Sequence, residues 1–138
     1  MPGIAYLGPE GTFTEAALRA LAANGLIPSG GEPVTPIPAE STVAALAAVR
    51  AGEADFACVP IENSIDGSVI PTLDSLADGA PLQVYAELTL DVAFTIAVRP
   101  GARGGDADTI AAIGAIEYQK LHRFTCRLAA GRDALLSL

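Results

Sequence analysis

The chain has 138 residues, 51% of them hydrophobic and only 17% charged, with a net charge of −8 at pH 7. A chain of this length and apolar content builds one ordinary domain with a real core, which excludes a disordered protein. The negative charge argues against nucleic acid and anionic membrane surfaces as partners, and the lack of any apolar run of about 18 residues argues against a transmembrane helix.

GIAYL (3–7) reads as a short buried strand that GPEG breaks, and TFTEAALRALAANG as the helix after it. Thr12 or Thr14 can cap that helix, Glu15 sits in its first turn, and Gly25 can end it. Phe13, Ala17 and Leu21 are spaced for one apolar face. A connection, PSGGEP, leads to a short extended piece, VTPIP. Ser41 is a good N-cap for TVAALAAVRAG, where Val43, Leu46 and Val49 recur at helical spacing.

DFACVPI (55–61) is the next strand, with Cys58 expected as a small core residue inside it. IPTLDSLADG reads as a short helix with Pro71 in its first turn. LQVYAELTLDVAFTIAVRP reads as extended, β-branched and partly alternating. PGARGGDAD is then a surface loop, TIAAIGA one more strand, and IEYQKLHRFTCRLAAG one more helix stopped by Gly131. Strands and helices that alternate through short loops predict an α/β fold with a largely parallel sheet.

The charge is uneven: residues 1–90 hold eleven Asp/Glu and only Arg19 and Arg50 as basic residues, whereas Lys120, Arg123, Arg127 and Arg132 cluster near the end. That cluster reads as a solvated helix face or as an anion contact. The N-terminal MPGIAYLGPEG has neither a basic region nor a long apolar one, so no secretory signal and a cytoplasmic location are expected. Cys58 and Cys126 fit a reduced compartment, and a lone histidine, His122, gives no metal site.

Three polar loops follow strands: GPEGTFT, AEST and IENSIDGSV. In open α/β sheets ligands collect at the carboxyl ends of strands, where helix N-termini face the same crevice. Hydroxyls and backbone N–H groups there can receive a carboxylate in a chain that is itself acidic. The alternative is that Thr12, Thr14 and Ser41 simply cap helices. GPEGT lacks the Gly-Lys-Ser/Thr ending of a phosphate-binding loop, and no Ser/His/Asp set is visible. The remaining hydroxyl, amide and carboxylate groups suit an undemanding reaction, such as an acid-assisted elimination with a strong thermodynamic pull.

IAYLGPEGTFTEAAL, AESTVAALAAVRAGEADFACVPIENSIDGSVIPTLDSL and AELTLDVAFTIAVRPG together resemble the catalytic domain of prephenate dehydratase, almost continuously over residues 3–101. The resemblance implies a two-lobed α/β domain like the type II periplasmic binding proteins, with a cleft site and usually a homodimer or higher homo-oligomer. Lobe 1 would cover about residues 1–85 and a partial, truncated lobe 2 about 86–138. It implies that prephenate, a small dicarboxylate, loses carbon dioxide and water to give phenylpyruvate in phenylalanine biosynthesis, with no cofactor or metal. Arogenate, the aminated substrate, and a non-catalytic carboxylate-binding module stay open beside it.

By the same resemblance Glu62, Asn63 and Ser64 line the cleft, and Gln119 corresponds to a functional glutamine of the second lobe. Thr12, Ser41, Gly11 and Gly67 belong to the substrate-binding loops. Two departures stand out: the family's Thr-Arg-Phe motif, whose threonine is taken as the acid, and its regulatory ACT domain are both missing. HRFTC (122–126) has Arg, Phe and Thr in the wrong order and far too early. A dehydratase cut short is the expectation.

Overall fold

The computed structural model describes residues 1–64 and 66–92, together with the backbone and strand register of 122–131. The elements run β1 (Gly3–Leu7), α1 (Phe13–Ala23), β2 (Thr35–Ala39), α2 (Thr42–Ala51), β3 (Phe56–Asn63), β4 (Gly67–Ser68), α3 (Ile70–Ala77), β5 (Leu82–Val92) and β6 (His122–Gly131). One six-stranded sheet has the order β2-β1-β3-β6-β5, with β4 added to the end of β3.

The α/β class is as expected, but the sheet is mixed rather than largely parallel. β1 pairs in parallel with β2 and β3, whereas β6 runs antiparallel to both β3 and β5. The difference comes from residues 122–131, which form a strand and not the expected helix. Their local pattern suits either form, and the sheet decides. β3 and β5 each present a row of backbone N–H and C=O groups to the gap between them, and one strand in that gap satisfies both rows. The register also sets Glu87 opposite Arg127 and Asp91 opposite Arg123. Positions 123 and 127 of the basic cluster therefore lie on a strand and not on a helix, while 120 and 132 lie outside the described residues.

Local chemistry explains the remaining elements. Thr12, not Thr14, caps α1, its hydroxyl accepting from the Glu15 N–H, and the helix ends at Asn24 just before Gly25. Ser41 caps α2, which stops at Gly52 in the left-handed region (φ 75°), where a glycine carries no Cβ penalty. Pro71 lies in the first turn of α3, where a missing N–H costs nothing. β2 tolerates Pro36 and Pro38 because, among the described residues, it is an edge strand paired with β1 alone. Among the described residues no helix is long and apolar enough to cross a membrane.

The two faces of the sheet carry separate clusters. Ile4, Tyr6, Phe56 and Cys58 pack against Ala17, Leu18 and Leu21 of α1. Ala5, Ala57 and Val59 pack against Ala45, Leu46 and Val49 of α2. Each fully buried leucine contributes about 1.5–3 kcal/mol relative to exposure. Cys58 is buried in the core, as its apolar setting predicts. Two positions depart from their helical stripes: Phe13 and Val43 are exposed, each in the first turn of its helix. The expected lobe division near residue 85 falls within β5, which continues in the same sheet to Val92. The expected loop 100–108, the strand 109–115 and the extended residues beyond 92 lie outside the described residues.

Candidate functional site

β1, β2 and β3 run in parallel, so GPEGTFT, AEST and the end of PIENS emerge at one edge of the sheet. That edge carries the N-termini of α1 and α2, and their uncompensated N–H groups make it attractive to anions. The sequence-predicted residues do not share one environment there. Thr12 is occupied twice: its hydroxyl donates to the Leu7 carbonyl at 3.0 Å and accepts from the Glu15 N–H at 3.3 Å. The Ser41 hydroxyl accepts from the Ala44 N–H at 3.0 Å, and no acceptor for its proton occurs among the described residues. Ser41 therefore caps its helix and still has a proton to give.

Gly11 has a φ of 87°, accessible to glycine at little cost. Its N–H donates to Glu15 Oε2 at 2.6 Å. Glu15 is the residue that sequence reasoning undervalued. Its buried carboxylate holds the Gly11 N–H on one oxygen and the Arg19 guanidinium on the other. The Gly11 N–H first, and then Arg19, keep this carboxyl below the usual range. The i, i+4 spacing of Glu15 and Arg19 was the available signal.

The opening residues of ENS are not loop residues. Glu62 and Asn63 are the last two residues of β3, paired with Ser68 and Gly67 of β4 in a tight hairpin. Gly67 takes a φ of 76° in that hairpin, and the Asn63 amide donates to Asp66 Oδ2 at 3.3 Å. Glu62 and Ser64 are exposed, and Asn63 is half-buried. Glu62 makes no ion pair among the described residues. Gln119 lies outside the described residues.

A bulge decides which way Glu62 faces. The β3–β6 register slips between Pro60 and Glu62, leaving Ile61 without a partner. Val59 stands opposite position 127 and Glu62 opposite position 125, two residues apart, so both lie on the α2 face. Without the extra residue Glu62 would point to the α1 side. The bulge also falls beside Pro60, which has no N–H for a central ladder. The segment HRFTC, set aside on residue order, runs directly beside this motif, with Phe124 opposite Asn63 and Thr125 opposite Glu62. Nothing in the sequence alone marks that adjacency.

At this edge, then, stand a carboxylate with no ion pair among the described residues, an amide and hydroxyls around two helix N-termini. The set can bind and orient a small polar anion and exchange hydrogen bonds with it. No group of three or more metal-ligating side chains occurs among the described residues.

A family model described as prephenate dehydratase matches residues 4–120. A prephenate dehydratase of Mycolicibacterium vanbaalenii is 78% identical over 118 residues, spanning 81% of this chain and 38% of that protein. One from Mycolicibacterium smegmatis is 60% identical over 137 residues, spanning 97% of this chain and 43% of that protein. The chain thus spans about two-fifths of the length of these curated relatives. Among solved structures, prephenate dehydratase from Arthrobacter aurescens in complex with L-Phe superposes with a TM-score of 0.65 at 26% identity, over 94% of this chain and 60% of that one. The enzyme from Streptococcus mutans gives a TM-score of 0.61 at 27% identity, over 96% and 50%. With a family model spanning most of its length, relatives at up to 78% identity and the same α/β architecture, the chain belongs to the prephenate dehydratase family.

Proposed function

We propose that this chain binds prephenate at the carboxyl edge of the sheet and contributes to its decarboxylating dehydration to phenylpyruvate. The observation that carries this reading is the convergence of GPEGTFT, AEST and PIENS at one edge, with Glu62 turned by the bulge onto the face where α2 begins. Prephenate carries two carboxylates and a ring that becomes aromatic once its hydroxyl leaves. Catalysis needs the ring oriented and a proton delivered to that hydroxyl. Ser41, whose proton has no acceptor among the described residues, and the N-terminus of α2 suit a carboxylate. Glu62 repels carboxylates and suits the hydroxyl-bearing end of the ligand. Assembly as a homodimer or larger homo-oligomer belongs to the same reading.

The test mixes the purified chain with prephenate and follows phenylpyruvate absorbance in alkali against the background acid-catalysed rate, with arogenate in parallel. A rate above background that Asn63→Ala lowers at least tenfold while circular dichroism stays unchanged is the expected result, since one well-placed polar contact carries about that factor. Prephenate binding without any rate would instead leave a non-catalytic carboxylate-binding module. An Asn63→Ala rate equal to wild type would remove the ENS motif from the site.

A further inference from the structure

A polar row crosses the sheet beyond the residues that the sequence singles out. On β3, Glu62 faces Ser68 of β4 on one side and position 125 of β6 on the other. Position 125 in turn faces Thr89 of β5. Directly opposed residues on neighbouring strands share a face, so Ser68, Glu62 and Thr89 all stand on the α2 side of the sheet. The alternation in β5 agrees: Ala86 and Leu88 pack toward the α1 cluster, whereas Thr89 between Leu88 and Leu90 is exposed. Neither Thr89 nor Ser68 has a hydrogen-bond partner for its side chain among the described residues. Both are exposed hydroxyls in register with the Glu62 carboxylate.

We propose that Thr89 is a ligand-binding and specificity-determining residue of this site, donating a hydrogen bond to a carboxylate of a ring dicarboxylate whose hydroxyl-bearing end lies at Glu62. This rests on the reading that the ENS motif binds such a ligand. Strands lie about 4.8 Å apart, so two strand steps separate Glu62 from Thr89 by about 10 Å. That span matches a six-membered ring extended by a carboxylate-bearing side chain. The charge of Glu62 disfavours a carboxylate beside it, whereas Glu87 and Asp91, which flank Thr89 on the same face, stand in register with arginine positions 127 and 123. Thr89 is near the end of β5, in register with β6, so the ladder between the two strands holds its backbone.

Calorimetric titration of prephenate into the full chain, its Thr89→Val and Thr89→Ser variants and Asn63→Ala tests this. Valine keeps the shape of threonine and removes the hydroxyl, and serine keeps the hydroxyl. Thr89→Val is expected to weaken binding about tenfold, the usual worth of a hydrogen bond to a charged group, and Thr89→Ser to retain it. The thermal midpoint of each variant, close to wild type, shows that an exposed position has not disturbed the fold. Wild-type binding by Thr89→Val, with Asn63→Ala impaired, overturns the role of Thr89 and leaves the ENS site standing. Equal losses in Thr89→Val and Thr89→Ser also overturn it, because the hydroxyl then does not carry the effect. A wild-type chain that does not bind prephenate overturns both readings.

Discussion

Replacing Arg50 by methionine keeps the apolar stem of the side chain and removes its guanidinium. In the fold that group closes the far end of α3: Nε donates to the Ala80 carbonyl at 2.9 Å, and a terminal nitrogen donates to the Ser75 carbonyl and, at 2.9 Å, to that of Asp78. The other nitrogen reaches Ser75 Oγ at 3.4 Å. Carbonyls at a helix end have no intrahelical partners, so one residue of α2 satisfies the end of α3 and binds the two helices together. A hydrogen bond from a charged donor contributes about 1.5–3 kcal/mol when sheltered. Two of these bonds are exposed and are discounted for solvent, so the whole clamp is worth about 2–3 kcal/mol. At roughly 3 °C per kcal/mol for a chain of this size, Arg50→Met should lower Tm by about 6–9 °C.

Urea unfolding followed by circular dichroism, in low and in molar salt, reads this directly. The acceptors are neutral carbonyls, so the loss should be the same at both salt concentrations. Arg50→Lys should recover only a minor part, because an ammonium on a flexible stem does not span three carbonyls at once. A loss in Arg50→Met below about 0.5 kcal/mol would refute the clamp. A loss that vanishes in high salt would replace it with simple attraction to Asp74 of α3 and Asp78 at its end.

Leu46 is fully buried against Ala5, Ala57 and Val59, so Leu46→Ala should cost about 2–4 kcal/mol in the same unfolding assay, and Leu46→Met less than about 1.5. Glu15 provides the pH-dependent test. Its carboxyl is held low by the Gly11 N–H and then by Arg19, so its stabilisation is complete above the ordinary carboxylate value of about 4.3 and is lost as pH falls through the lower value of the folded state. The difference in urea midpoint between wild type and Glu15→Gln should therefore be largest near neutrality and shrink on the acid side. A difference that stays constant from neutral to acid pH would show that the charge of Glu15 contributes nothing.

Much of this protein follows from local chemistry that any reader of the chain can see. Thr12 and Ser41 cap their helices because hydroxyls before helix-forming runs do so, and Gly52 ends α2 because only glycine takes that conformation without strain. FACV enters the core because nothing polar interrupts it. The motifs that carry the family resemblance sit in contiguous stretches, so they too are visible without a fold. Residues 122–131 are different. Their sequence fits a helix as well as a strand, and they become β6 because β3 and β5 together offer two unsatisfied backbone edges.

Contacts that depend on that pairing have no signature along the chain. The bulge that turns Glu62 onto the α2 face is a mismatch between two strands, and the line from Ser68 through Glu62 to Thr89 joins residues that are remote in sequence. The hydroxyls of Thr12 and Ser41 look equivalent as text. The hydroxyl of Thr12 donates to the Leu7 carbonyl, which the folded loop brings to it, whereas that of Ser41 has no acceptor among the described residues. Residue type and short-range spacing set the helices, the caps and the family motifs; long-range strand pairing set the sheet order, the facing of each site residue and which hydroxyls remain free.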